Sequence, residues 1–167
     1  LTRKHPMLVP PSGNVGVIEG GKAGSTVADY CCFKTCVHYN PGMTYDGVVK
    51  EYTDTIYRCC QGDEWLKDHK PKISIYQAGC SFETDVNDDF VKTFQASYEE
   101  STGKPGVLAG NPGGCDARVW RNIAGCPTVH FGPGELSVCH SVDEYVEVED
   151  YLNNILIYAG LILDWCK

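Results

Sequence analysis

The stretch Gly110–Asp150, GNPGGCDARVWRNIAGCPTVHFGPGELSVCHSVDEYVEVED, restricts the fold more than any other part of the chain. Two glycine-rich turns, Gly110–Gly114 and Gly132–Gly134, each follow a short apolar run, Gly106–Gly110 and Pro127–Phe131, that reads as a buried strand. Helical patterns separate these runs. One spans Asp88–Ser101 through Phe90, Val91, Phe94 and Tyr98, and Gly103 and Pro105 close it. A second covers Ala117–Ala124. In the last, Val148, Tyr151, Leu152, Ile155, Tyr158, Ala159, Ile162 and Trp165 make one apolar stripe. Glu147, Glu149 and Asp150 lie at its start, where the helix dipole favours negative charge. Strands alternating with helices imply a mostly parallel sheet with helices on its faces.

Before Gly79 the pattern is different. Alternating residues from Asn14 (NVGVIEGG) and in Asp29–Tyr39 (DYCCFKTCVHY) read as strands, and Asn40-Pro41-Gly42 as a turn. Thr44 is placed to cap a helix carrying Tyr45, Val48, Val49, Tyr52, Ile56 and Cys59 at helical spacing, which Gly62 ends. Lys72–Tyr76 (KISIY) reads as a further strand. Strand, strand, helix, strand is a small α+β layer with one helix face on an antiparallel sheet. Such a layer usually carries two helices, so its remaining pieces are expected to precede Leu1. The fold class is therefore α/β: an incomplete α+β layer over residues 1–79, then part of a mostly parallel α/β domain over residues 80–167.

Composition excludes several functions. The 167 residues carry a net charge of −8, which opposes a nucleic-acid surface built of clustered Lys and Arg. No apolar run approaches the roughly 20 residues of a membrane span, and the start LTRKHPMLVPP lacks a long apolar signal core. Ten cysteines are present. Cys31–Cys32 and Cys59–Cys60 are adjacent pairs, and no C-x-x-C occurs, so neither a spaced disulfide framework nor a zinc ribbon is indicated. Cys36 in a strand and Cys59 and Cys60 on a helix sit where a small apolar residue is wanted. Reduced thiols and a cytoplasmic home are expected.

In open sheets ligands gather at the carboxyl ends of strands, which places both glycine turns on the ligand edge. Arg118, at the start of the helix beside the first turn, can present a planar fork to a carboxylate. The plainer alternative is that Asp116 caps that helix and Arg118 pairs with a neighbouring acid. Of the five histidines, His5 and His69 lie beside prolines in loops, His130 falls in a strand as a packed or hydrogen-bonded residue, and His38 ends a strand. His140 stands just before a helix, anchored on both sides, as a metal-ligating histidine would. A fixed turn, a carboxylate-gripping arginine and a metal-type histidine within a short span point to a hydrolase site.

Those residues carry a resemblance. GVIEGGKAGSTVAD (Gly16–Asp29), CVHYNPG (Cys36–Gly42), the DAR at Asp116, AGCPTVHFGPG and CHSVDEYVEVEDY are similar, in order and spacing, to the metal-dependent aminoacylase, acetylornithine deacetylase, succinyl-diaminopimelate desuccinylase and carboxypeptidase G family. The resemblance covers nearly the whole chain. It implies a zinc-bearing α/β catalytic domain interrupted by a lid that dimerises: residues 1–79 would be the lid and 80–167 the C-terminal part of the catalytic domain. Two metal ions would polarise an amide carbonyl and activate water, with a glutamate as general base. The substrate would be a small N-acyl amino acid or peptide with a free carboxylate. His140 matches the final metal ligand, Arg118 the carboxylate-gripping residue, and Gly114 and Gly132 the glycine loops. Ser25 stands where the family offers an asparagine to substrate, Ala28 where a proline follows, and His38 where arginine is frequent.

The family's other ligands, a His-x-Asp, a bridging Asp, a Glu-Glu pair and a later acid, lie upstream of the lid, as does the lid's oxyanion-assisting histidine. Here the residues two beyond each histidine are Met, Asn, Pro, Gly and Val, and Glu99-Glu100 reads as a solvated pair at a helix end. One histidine cannot hold a catalytic zinc, which takes about three protein ligands. No catalytic residue is assigned to this chain; the general base is expected upstream. Two functions of different kinds follow: the C-terminal part of an amidohydrolase whose first half lies outside this sequence, or a non-catalytic dimerisation or partner-binding scaffold derived from that family.

Overall fold

The computed structural model describes residues 4–167, in the order β1 (Ser12–Gly20), β2 (Cys31–His38), α1 (Tyr45–Cys60), α2 (Asp89–Thr102), α3 (Ala117–Asn122) and α4 (Val148–Trp165). A single 3-10 turn, Leu136–Val138, precedes α4. These residues divide into two compact units: one runs up to Ser81 and includes Pro112–Gly114, and the other comprises Phe82–Asn111 and Cys115–Lys167.

In the first unit, β1 and β2 pair antiparallel from Ser12↔His38 to Gly20↔Cys31, with an irregularity between Val15 and Val17. Gly20 is required at the turn end, because a Cβ there would lie 2.6 Å from the Tyr30 carbonyl oxygen. Gly21 follows at φ +70° and donates its N–H to the same oxygen. The Thr44 hydroxyl caps α1 by accepting from the Gly47 N–H at 3.2 Å. Val48 and Cys60 of α1 are buried, and the Tyr52 hydroxyl donates to Thr35 on β2 at 2.8 Å. The Asn40 side chain, buried at the expected turn, donates to the Val9 carbonyl.

The second unit is built on α2 packed against α4. Asp88 caps α2 through the Phe90 N–H, and Gly103, left-handed at φ +67°, closes it by donating to the Glu99 carbonyl. Phe94, Ile157 and Leu161 form the core, with Phe90, Tyr98, Val129 and Phe131 packed on it. Phe131 meets the edges of Phe94 and Tyr98 at 5.0 and 5.9 Å between ring centres. Ser97, 1% exposed, donates to Asp164 across the helix pair at 3.0 Å. Lys167 and Ser97 together hold the Asp164 carboxyl below its ordinary value.

The α/β class stands, but the sheet is small. Among the described residues the only ladder is β1–β2; the expected strands Lys72–Tyr76, Gly106–Gly110 and Pro127–Phe131 are irregular. A strand exists only against a neighbour, and none of these runs finds one. Their polar groups are held otherwise: the Gly106 carbonyl accepts from Gln95, and Thr128 exchanges two bonds with Thr84. The expected α4 stripe is also divided. Tyr158 and Trp165 reach the core aromatics, whereas Val148, Leu152, Ile155 and Ile162 are 73%, 53%, 52% and 59% exposed. Asn154, Ile157 and Leu161 occupy the inner face instead.

All ten cysteines are unpaired thiols; Cys60 is buried, and Cys36 and Cys59 are exposed rather than filling an apolar interior. No helix of the described residues is long and apolar enough to cross a membrane.

Candidate functional site

The residues singled out in the sequence fall in both units. Ser25 and Gly114 belong to the first, and Arg118, Gly132 and His140 to the second. Ser25 is exposed on the β1–β2 connection, beside the turn in which Thr26 donates to Ala23. Gly114 is exposed, with open space where a side chain would lie.

Arg118 rises from the first turn of α3 and is folded back on it. Its guanidinium donates to the Cys115 carbonyl at 2.7 Å and lies 3.3 Å from the Asp116 carboxylate, which is 90% exposed. Asp116 makes no side-chain cap bond to α3. The expected cap is therefore absent, because that carboxylate is turned toward the guanidinium. With the Asp116 carboxylate this exposed, the pair is weak.

Gly132 opens the second glycine turn, which α4 holds at two places. The Tyr158 hydroxyl donates to the Phe131 carbonyl at 2.7 Å, and the Asp150 carboxylate accepts from the Gly134 N–H at 3.0 Å. Burial raises the Tyr158 pKa. Gly134 is left-handed at φ +83°, as such a turn demands.

His140 follows the 3-10 turn and is exposed. Its backbone is left-handed at φ +60°, as is that of Asp143 at φ +61°. Left-handed backbone costs an L-residue roughly 1 kcal/mol, and here it is held by specific bonds. The Glu144 carboxylate accepts from the His140 N–H at 3.1 Å, and Ser141 donates from both N–H and hydroxyl to the Val138 carbonyl. Glu144 was not singled out from sequence, although it stands four residues after His140 in HSVDE. His130, expected to be packed or hydrogen-bonded in a strand, is exposed and bonded through Nδ1 to the Asn111 amide.

Among the described residues no three His, Cys, Asp or Glu side chains are placed to hold a metal ion. A catalytic zinc takes about three protein ligands, so these residues do not fit a complete zinc site. No hydrogen bond or ion pair joins Arg118 to His140 among the described residues. Glu99 and Glu100 are exposed at the end of α2, as a solvated pair should be.

Comparison with known proteins gives a consistent answer. Residues 9–164 match peptidase family M20/M25/M40. The chain is 32% identical, over 184 residues, to the N-formyl-4-amino-5-aminomethyl-2-methylpyrimidine deformylase of Bacillus subtilis (strain 168), covering 100% of this chain and 42% of that protein. It is 29% identical to the acetylornithine deacetylase of Myxococcus xanthus, covering 92% of this chain and 38% of that one. In fold it is similar to the M20 family metallo-carboxypeptidase Sso-CP2 of Sulfolobus solfataricus, with a TM-score of 0.67 and 18% identity, over 92% of this chain and 35% of that chain. The chain thus spans about two fifths of the length of these curated relatives.

Proposed function

The chain belongs to peptidase family M20/M25/M40, and from that premise we propose that it is one part of a metal-dependent amidohydrolase that removes a small acyl group from an amine. Residues 1–79 are its lid and 80–167 the C-terminal part of its catalytic domain. The observation that carries this reading is the match across residues 9–164 combined with two relatives whose names describe loss of a formyl and of an acetyl group. Those names favour a deacylase over a peptidase.

His140 supplies one ligand to zinc in the complete protein, which holds two such ions. Arg118 meets a carboxylate of an N-acyl amino acid or small peptide, exchanging it for Asp116. Gly114 and Gly132 let backbone approach the substrate, and Ser25 reaches it from the lid. The remaining ligands and the general base come from the half of the enzyme outside this sequence, and the complete protein is a cytoplasmic homodimer joined through the lid. The 167 residues alone are inactive, in keeping with the absence of a three-ligand cluster among the described residues.

The test is to read the gene upstream of Leu1 and assay the full product on N-formyl and N-acetyl amino acids, with and without a chelator. Zinc-restorable hydrolysis, with KM raised at least tenfold by Arg118→Ala, is expected. Hydrolysis indifferent to chelation would refute the reading. A start codon at Leu1 would favour the other function, a scaffold for dimerisation or partner binding.

A further inference from the structure

Asn111, just after Gly110, and His130, just before Phe131 and the second glycine turn, are bonded to each other although 19 residues apart. The bond fixes a tautomer. An amide nitrogen only donates, so the Nδ1 atom it meets is the acceptor. In a neutral imidazole the proton is then on Nε2. His130 therefore turns one N–H donor outward. Its backbone is held on both sides. Val129 and Phe131 flank it and pack on the core, Thr128 exchanges two bonds with Thr84, and the Tyr158 hydroxyl donates to the Phe131 carbonyl. Within Pro127–Phe131, His130 is the only exposed residue. A donor with its ring tied, its tautomer set and its backbone anchored, yet facing outward, has the preorganisation that binding requires.

We propose that His130 is a substrate-binding residue and Asn111 its positioning residue, and that together they select N-acyl amino acids whose side chain carries an uncharged oxygen acceptor. The inference rests on the proposed reading of the chain as part of a deacylase. The chemistry of the donor chooses the ligand. A neutral N–H suits an uncharged carbonyl, whereas a carboxylate finds a stronger, two-pronged partner in a guanidinium such as that of Arg118. In an N-acyl amino acid the carboxylate is assigned to Arg118 and the acyl carbonyl is the reacting group. An ester or amide oxygen in the side chain is the acceptor that remains for His130. A site built around such a bond discriminates against an apolar analogue, because the donor is then left without a partner.

The experiment assays the full product of the reading frame on N-acetylglutamate γ-methyl ester, whose side chain only accepts, and on N-acetylnorleucine, whose side chain does neither. The parent is expected to favour the ester by about tenfold in kcat/KM, the scale of one neutral hydrogen bond in a site built for it. His130→Phe should abolish the preference, and His130→Gln, which keeps an N–H, should restore part of it. Asn111→Asp should also reduce it: in alkaline buffer a carboxylate accepts from Nδ1 and draws the proton off Nε2. Nitrogen NMR of labelled histidine should show the Nε2–H tautomer in the parent and Nδ1–H in Asn111→Asp, a change that a merely structural role would not produce. A parent without preference for the ester, or an Nδ1–H tautomer in the parent, would overturn the inference. So would a His130→Phe variant that lowers the urea midpoint and leaves the preference intact. The two readings fail separately. Zinc-restorable hydrolysis of both compounds at equal rates sinks the selectivity alone. Hydrolysis of neither sinks the activity, and the selectivity is then judged by calorimetric binding of the two compounds to the parent and to His130→Phe, where equal affinities throughout would refute it.

Discussion

Replacing Ile157 and Ile155 by alanine, two residues apart on α4, tests which face of that helix is the core. Ile157 is 2% exposed and packed with Phe94 and Leu161, whereas Ile155 is 52% exposed on the opposite side. Alanine at 157 removes three carbons, worth about 2.4 kcal/mol at ~0.8 kcal/mol per buried methylene. The cavity left behind adds to this. The core is small and its neighbours are partly exposed, so it can collapse, and a total of about 3 kcal/mol is expected. At 155 the loss is at most about 0.5 kcal/mol, offset in part by alanine's helix propensity. In urea titrations followed by circular dichroism, with a slope of about 1.5 kcal/mol/M, the Ile157→Ala midpoint should fall by about 2 M. Ile155→Ala should stay within about 0.3 M of the parent at the same slope. Where Ile157→Ala is too unstable to titrate, Ile157→Val, at about 0.5–1.5 kcal/mol, gives a readable shift. Equal shifts at 155 and 157, or a reversed order, would refute the assignment of the inner face.

Three further outcomes are expected. Thr44→Ala, which removes the acceptor for the Gly47 N–H, should cost the first unit about 1 kcal/mol; an unchanged thermal midpoint would show that water serves α1 equally well. Asp164 is held below its ordinary value by Lys167 and Ser97, so its contribution is present above the unfolded carboxylate pKa of about 3.9 and is lost as pH falls through the lower folded value. Acid titration of stability should accordingly be shallower in Asp164→Asn than in the parent, and identical slopes would contradict it. Zinc titration of the 167-residue chain should give an affinity within a few-fold of His140→Ala; tight one-to-one binding would reveal ligands that the described residues do not group.

Elements determined by nearby residues were legible in the sequence. Thr44 and Gly103 mark helix ends through side-chain or left-handed backbone chemistry confined to one turn, and the structure places α1 and α2 against them. What failed to appear were the apolar runs at 72–76, 106–110 and 127–131, because a strand is a property of two segments and the second is not encoded beside the first. The site shows the same limit. The position of His140 before α4 could be read, but not its left-handed backbone or the Glu144 bond that holds it, which depend on how the loop closes. Arg118 was rightly seen as able to pair with an acid; that Asp116 would be turned to it, and so give up capping α3, is a matter of rotamer choice.

The pair of bonds from α4 to the second glycine turn has a mechanical consequence. A segment pinned at one point can still swivel about it; pinned at two, it cannot. Tyr158 and Asp150 stand eight residues apart on one helix, or about 12 Å along its axis at ~1.5 Å per residue. They clamp Phe131 and Gly134 as two bolts hold a bracket, so the peptide between them shares the thermal motion of the whole helix instead of adding its own.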